Sequence, residues 1–398
     1  MSGKTADLGE LTPLLARGSP LDTRAQDVIE SVHLAELAKV QTLPTDDERD
    51  AKRRQRVEWT REEMLAQPAA ITETLESERE AIREVAAALA RSEPRRFWLA
   101  GCGDSLAVMV GMRSLLETLL GVPCEPIESL DFAYYYADLC GPGDVVIALS
   151  SSGETARTVE AVLVAAAHGA TTLTLTNTAG STLAREGHHS LLVHATRRGW
   201  PTQASTAAMA LVGQVAIELG RRRGKVEEAD RFEAEIQQLP ECIGQVLEAH
   251  EPAMEAIARH EAVRSLFLYA GGGPAYACAM VGAAKVKECS PAHAIAIPLE
   301  EYHHYNSQKA ADPLVLFAPA GRTVPRAVET ARAGRRAGGR VHVVISEGES
   351  RFDDEVDSTL RLPVIPEPLA PIVYMVPGQL FAYHVAMEKF RMADARQG

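Results

Sequence analysis

The chain has 398 residues, 46% of them apolar and 24% charged, a soluble composition too long for one ordinary core. Its 41 basic and 54 acidic residues leave a net charge of −13, which excludes nucleic acid as the partner, because phosphate backbones are gripped by a basic face. No stretch approaches the roughly 20 uncharged apolar residues of a membrane helix, MSGKTADLGELTPLL has no signal-peptide pattern, and six scattered cysteines form no C-x-x-C pair, so the chain reads as cytoplasmic with reduced thiols.

Four segments follow in chain order. Residues 1–56 read as an N-terminal helical and linker segment, with Asp22 expected to cap the helix DTRAQDVIESVHLAELAKV and TDDERDAKRRQR expected as a solvated helix or linker. Residues 57–222 read as an α/β domain. A helical pattern from about Val57 to Leu89 leads into strand RRFWLAG (95–101) and an apolar helix closed by Gly121. Strand DVVIALS, helix TARTVEAVLVAAAHG, strand TTLTLTN and a short strand SLLVHA complete it. Residues 223–255 read as a charged helical linker. Residues 256–398 restart the rhythm with strand RSLFLYAGGG, helix PAYACAMVGAAKVKE, strand PLVLFAP, helix RAVETARAGRRAGG and strand RVHVVISE. This alternation predicts two tandem, doubly wound parallel sheets of flavodoxin-like form.

The halves echo each other: LAGCGDSLAVMVG (99–111) matches LYAGGGPAYACAMVG (268–282), and the units that follow match in outline, as an internal duplication would. One turn differs. The first copy has Ser150, Ser151, Ser152 and Thr155 where the second has Ala318, Pro319, Ala320 and Thr323. The serine turn ends a strand and opens a helix, which is where open α/β sheets bind ligands. A helix N-terminus offers free N–H groups and partial positive charge, and hydroxyls add donors. One hydroxyl suffices for a helix cap; four predict a phosphate site. The turn Gly101-Cys102-Gly103-Asp104-Ser105 is not a dinucleotide fingerprint, since Leu106 stands at the third glycine, and is expected beside the serine turn with Ser105 as a further donor.

GCGDS, SSSGET (150–155) and QASTAAM (203–209) occur in the order and spacing of the sugar isomerase (SIS) domain family, and the chain resembles the isomerase half of the glucosamine-6-phosphate synthases from EEMLAQPAAITETL (62–75) to PIVYMVPGQLFAYHVAMEK (371–389). The resemblance implies that Ser105, Ser150, Ser151, Ser152 and Thr155 hold the phosphate and that Gly103, Asp104, Gln203, Ser205 and Glu301 line the sugar. AAKVKECSPAHAIAIPLEEYHH (283–304) looks like the family's catalytic segment. Lys285, Lys287 and Glu288 match its K-x-K-E, with Glu288 as base, and His304 matches its ring-opening histidine. It further implies at least a homodimer with a shared site, His304 reaching from the neighbouring subunit.

The chemistry of these residue types agrees. Moving a proton between neighbouring carbons needs one tuned carboxylate and no cofactor. Lys285, one turn before Glu288, could stabilise an enediolate oxygen, and an imidazole titrates in the range that ring opening needs. His303, His304, Glu300 and Glu301 match no metal-site spacing, and no metal is expected. His293 reads as structural.

The chain departs from the pattern in having no glutaminase segment and no cysteine before Cys102, so glutamine is not expected as a substrate. Asp104 replaces a threonine, Val281 a glutamate and Ala207 a lysine. The expected activity is aldose–ketose isomerisation of a hexose or amino-sugar 6-phosphate. Release of an amine by a deaminase or deglycase, and non-catalytic sensing of a sugar phosphate, are the alternatives.

Overall fold

The computed structural model describes residues 15, 18–304 and 307–396. Two five-stranded, all-parallel sheets organise the chain. The first comprises β1 (Arg96–Gly101), β2 (Cys124–Glu128), β3 (Asp144–Leu149), β4 (Thr171–Thr176) and β5 (His189–Leu192), in the order β2-β1-β3-β4-β5. The second comprises β6 (Leu266–Gly271), β7 (His293–Pro298), β8 (Pro313–Ala318), β9 (Arg340–Ser346) and β10 (Ser358–Leu362), in the order β10-β9-β8-β6-β7. Counted from its own first strand, each sheet has the order 2-1-3-4-5, so the echo in sequence is an echo in topology. Helices on both faces bury the central strands, and all six residues of β3 and of β8 are buried.

The helices are α1 (Thr23–Val40), α2 (Ala51–Leu65), α3 (Gln67–Ser77) and α4 (Arg79–Arg91) before the first sheet. Within it lie α5 (Asp104–Leu120), α6 (Ser129–Asp131), α7 (Ala156–Ala167) and α8 (Thr182–Glu186), followed by α9 (Gln203–Arg222) and α10 (Val226–Glu261). The second half adds α11 (Tyr276–Cys289), α12 (Val324–Arg336), α13 (Ala370–Tyr374) and α14 (Val376–Ala395). Asp22 caps α1, accepting from the Ala25 N–H at 2.8 Å. The charged run is helix α2, capped by Asp50 at the Lys52 and Arg53 N–H groups. The segment read as a charged linker is one 36-residue helix that passes through Pro240 and Pro252. Among the described residues no helix is long and apolar enough to cross a membrane. The six cysteines are free thiols, five of them buried.

One core runs through both halves, drawing on α5, α9, α11 and α14. Helix α11 is rich in small residues, which lets its neighbours approach: a Cβ at Gly282 would lie 2.5 Å from the Tyr269 ring, and one at Gly111 of α5 only 3.1 Å from Ala277. Gly111 sits by Ala277 while Asp104 meets Lys285, so α5 and α11 run antiparallel. That packing delivers the start of α5, on the first sheet, to the end of α11, on the second.

Candidate active site

In a sheet of order 2-1-3-4-5 the chain reverses between β1 and β3, and ligands bind beyond the strand ends there. Gly101 pairs with Leu149 as the last residues of β1 and β3, so the turns 101–105 and 150–155 lie side by side. Cys102 Sγ, 3.8 Å from Thr158 Oγ1, ties the glycine turn to α7.

The serine turn is built from its own hydroxyls. Ser150 Oγ is 2.8 Å from Thr155 Oγ1 and 3.3 Å from Ser152 Oγ. The Gly153 N–H donates to Ser150 Oγ at 3.2 Å, and the Glu154 N–H to Ser152 Oγ at 3.2 Å. Thr155 stands at the N-cap of α7 without making a side-chain cap bond, so these hydroxyls shape the turn rather than close the helix. Glu154 turns away and accepts from the Thr182 N–H at 2.8 Å, keeping its charge off the turn. Gly153 has φ +65°, and a Cβ there would fall 2.0 Å from Ser181 Oγ; the glycine is demanded by the fold itself.

The matching turn of the second half is filled. There Glu367 accepts from the Arg322 N–H at 3.0 Å, and a Cβ at Gly321 would lie 2.3 Å from the same carboxylate oxygen. A carboxylate of the chain thus occupies the anion-binding position in one copy. Among the described residues no carboxylate bonds the serine turn of the other.

Asp104, Lys285 and Glu288 come together where the halves meet. Lys285, fully buried, donates to Asp104 Oδ2 at 2.6 Å and also to the Glu288 carboxylate. Burial alone would lower the Lys285 pKa, but the two carboxylates raise it, so the ammonium stays charged. Glu288 is pushed the other way from an ordinary carboxylate. Burial raises its pKa and Asp104 adds to the rise, while Lys285 and Arg56 hold it down. Its side chain keeps 28% exposure, enough to meet a ligand.

Two residues at this cluster were not singled out in the sequence. Arg53 of α2 is buried and donates Nη1 to the Glu288 carbonyl at 2.9 Å, and Arg56 is close enough for its charge to act on the Glu288 carboxylate. Both lie in a run that reads as solvated, and only the three-dimensional packing reveals their role.

Other expected residues are placed apart. Gly103 is exposed at the N-cap of α5 with φ +56°, and Ser105 follows in the first helical turn. Gln203 and Ser205 are buried at the start of α9, where Gln203 Nε2 donates to Thr196 Oγ1 at 2.6 Å. Glu301 and His304 are exposed on a short 3-10 turn, and His304 Nε2 lies 3.4 Å from Glu300. Glu300 also receives Arg326, and His303 bonds Thr330, so the His/Glu group does not converge on one point. His293 is exposed at the start of an edge strand.

Two wound sheets with a hydroxyl-lined turn at the switch point of one define a doubly wound α/β protein with a candidate anion site in its first half. Residues 91–218 match the SIS domain, so the first half of the chain carries an SIS domain. A curated relative from Pyrococcus horikoshii, a glutamine–fructose-6-phosphate aminotransferase (isomerizing), is 31% identical over 338 residues, 83% of this chain and 55% of that protein. The chain therefore spans about half the length of the curated relatives it matches. Among solved structures, the C-terminal domain of glucosamine-fructose-6-phosphate aminotransferase from Francisella tularensis superposes with a TM-score of 0.74 at 20% identity, covering 83% of this chain and 96% of that one. Tagatose-6-phosphate ketose/aldose isomerase from Escherichia coli gives 0.70 at 19% identity, covering 83% and 93%.

Proposed function

We propose that the chain is a cofactor-independent aldose–ketose isomerase of a hexose or amino-sugar 6-phosphate. The observation that carries this reading is the Asp104–Lys285–Glu288 cluster, a carboxylate with raised pKa touching a buried ammonium at the edge of an open hydroxyl turn. The serine turn and Ser105 hold the phosphate. Glu288 removes a proton from the carbon beside the carbonyl, and the C–H electron pair passes through the new C=C bond onto the carbonyl oxygen. The Lys285 ammonium stabilises that enediolate oxygen. Glu288 then returns the proton to the neighbouring carbon while the hydroxyl proton passes from one enediolate oxygen to the other, so the same atoms leave as the isomer. The reaction draws on no glutamine.

His304 is proposed to open the sugar ring from a second copy of the chain, consistent with its exposed position. Gly103, Gln203, Ser205 and Glu301 are proposed to contact the sugar, and the four sequence segments to act as the units that carry these parts.

A second reading has one observation in its favour. Asp104 brings a negative charge to the site, which suits a substrate ammonium, and the same proton transfer to an imine, followed by addition of water and departure of the amine, would make the chain a deaminase or deglycase.

Incubation with fructose 6-phosphate, glucosamine 6-phosphate and an amine-conjugated fructose 6-phosphate, followed by NMR, tests both. Interconversion of ketose and aldose supports the first reading and release of ammonia or amine the second. Binding of these sugars without turnover of any would favour a sensor over an enzyme.

A further inference from the structure

Beside α2 lies a cleft of about 570 Å³ between the N-terminal helices and the loop before α9. Its wall carries Lys39, Lys52, Arg56, Arg197 and Arg198, and none of its lining residues is acidic. In a chain of net charge −13 that concentration is against the trend. Arg198 is paired, 3.2 Å from Glu62. Lys39, Lys52, Arg56 and Arg197 make no ion pair with any described residue. Arg56 Cζ lies over the Trp200 ring, 3.4 Å from its centroid, and its buried Nε has no hydrogen-bond partner among the described residues.

The charges also press on one another. Burial lowers the Lys39 pKa, and the positive charges of Arg197 and Arg56 lower it further. Glu63 offsets part of this at Arg56 and Arg197, and Glu36 part of it at Lys39, but the Glu63 carboxylate makes its hydrogen bonds elsewhere, accepting from Thr196 Oγ1 at 2.8 Å and from the Arg198 and Gly199 N–H groups at 2.7 and 3.3 Å. Gathering like charges without partners costs stability, and a bound anion offsets that cost.

We propose that this cleft binds a second anionic group, a carboxylate or phosphate, between Lys39, Arg56 and Arg197. It is separate from the serine turn. It is also linked to the candidate base, a link that rests on the reading of Glu288 given above. Arg56 lies one helical turn from Arg53, whose Nη1 holds the Glu288 carbonyl, and an anion that neutralises Arg56 removes a charge that favours ionised Glu288. The anion is either the far end of a two-headed substrate or a separate effector; both present the same chemistry to the cleft.

The site reports on itself. Of three tryptophans, Trp59 lines the cleft and Trp200 stacks under Arg56, whereas Trp98 belongs to β1. The full chain is titrated with inorganic pyrophosphate and with tricarballylate at constant ionic strength, followed by tryptophan fluorescence and by calorimetry. Saturable binding is expected, weakened about fivefold or more by Lys39→Gln or Arg197→Gln and unchanged by Ser150→Ala. Both substituted cations are exposed residues, so folding is expected to survive, and circular dichroism checks it. No turnover is needed, so the result stands whatever becomes of the isomerase reading. Competition between pyrophosphate and fructose 6-phosphate would mark the cleft as an arm of the substrate site, and independent binding would mark an effector site; either supports the proposal. Absence of saturable binding by both methods, equal affinity in the Lys39 and Arg197 variants, or loss of binding in Ser150→Ala would overturn it.

Discussion

A carboxylate that must take a proton from carbon near neutral pH has to hold that proton more tightly than an ordinary Glu does. Glu288 meets this through burial and the neighbouring charge of Asp104. Only ionised Glu288 can act as base, so kcat/KM is expected to fall as pH drops through this raised pKa, with the acid limb above the usual carboxylate range. Because the Asp104 charge raises that pKa, Asp104→Asn should move the limb to lower pH, on the order of one unit. The readout is the midpoint of the pH profile, not the height of activity. A midpoint that stays put or moves upward would show that Asp104 does not tune the base. The residue types at 285 and 288 are legible in the sequence, because a Lys and a Glu three apart share one helical face. The bond from Lys285 to Asp104 is not legible, since it joins residues 181 positions apart across two sheets.

At the level of the element, the serine turn separates what the fold needs from what a ligand would need. Gly153→Ala places a side chain at positive φ against Ser181 and is expected to destabilise the protein by about 3 kcal/mol, read as a lowered Tm. Ser151→Ala removes a hydroxyl that makes no side-chain bond to any described residue. It should leave the stability within about 0.5 kcal/mol of wild type while raising KM for a sugar phosphate roughly tenfold. Equal damage to stability by both variants would return these hydroxyls to a structural role. Central strands such as β3 are legible because burial on both faces gives a continuous apolar run. Strands β2, β7 and β10 are not, and all three are edges: CEPIE, HAIAIP and STLRL carry mixed burial and lack such a run. The pattern over 57–89 hides two breaks, at Ala66 and Glu78, because helices joined through one or two αR-like residues keep nearly the same periodicity.

For the molecule as a whole, duplication has yielded two unlike copies. One keeps an open hydroxyl turn, the other fills the same turn with Glu367 and supplies Lys285 and Glu288 from α11. His304, on an exposed turn of the second half, is proposed to complete the site from a second subunit. Glu288→Gln and His304→Ala homodimers should each be inactive. Dissociated and reassembled together they should recover about a quarter of wild-type activity, as half the dimers would carry one intact site of two; no recovery would confine each site to one chain. The most direct test of the account is hydrogen exchange at carbon, watched by NMR in deuterated water with fructose 6-phosphate and glucosamine 6-phosphate, for wild type and Glu288→Gln. The account predicts deuterium entering at C1 or C2 with wild type and at least about a hundredfold slower entry with Glu288→Gln. Exchange that proceeds equally in both proteins, or that fails with wild type although the sugar phosphates bind, would contradict it.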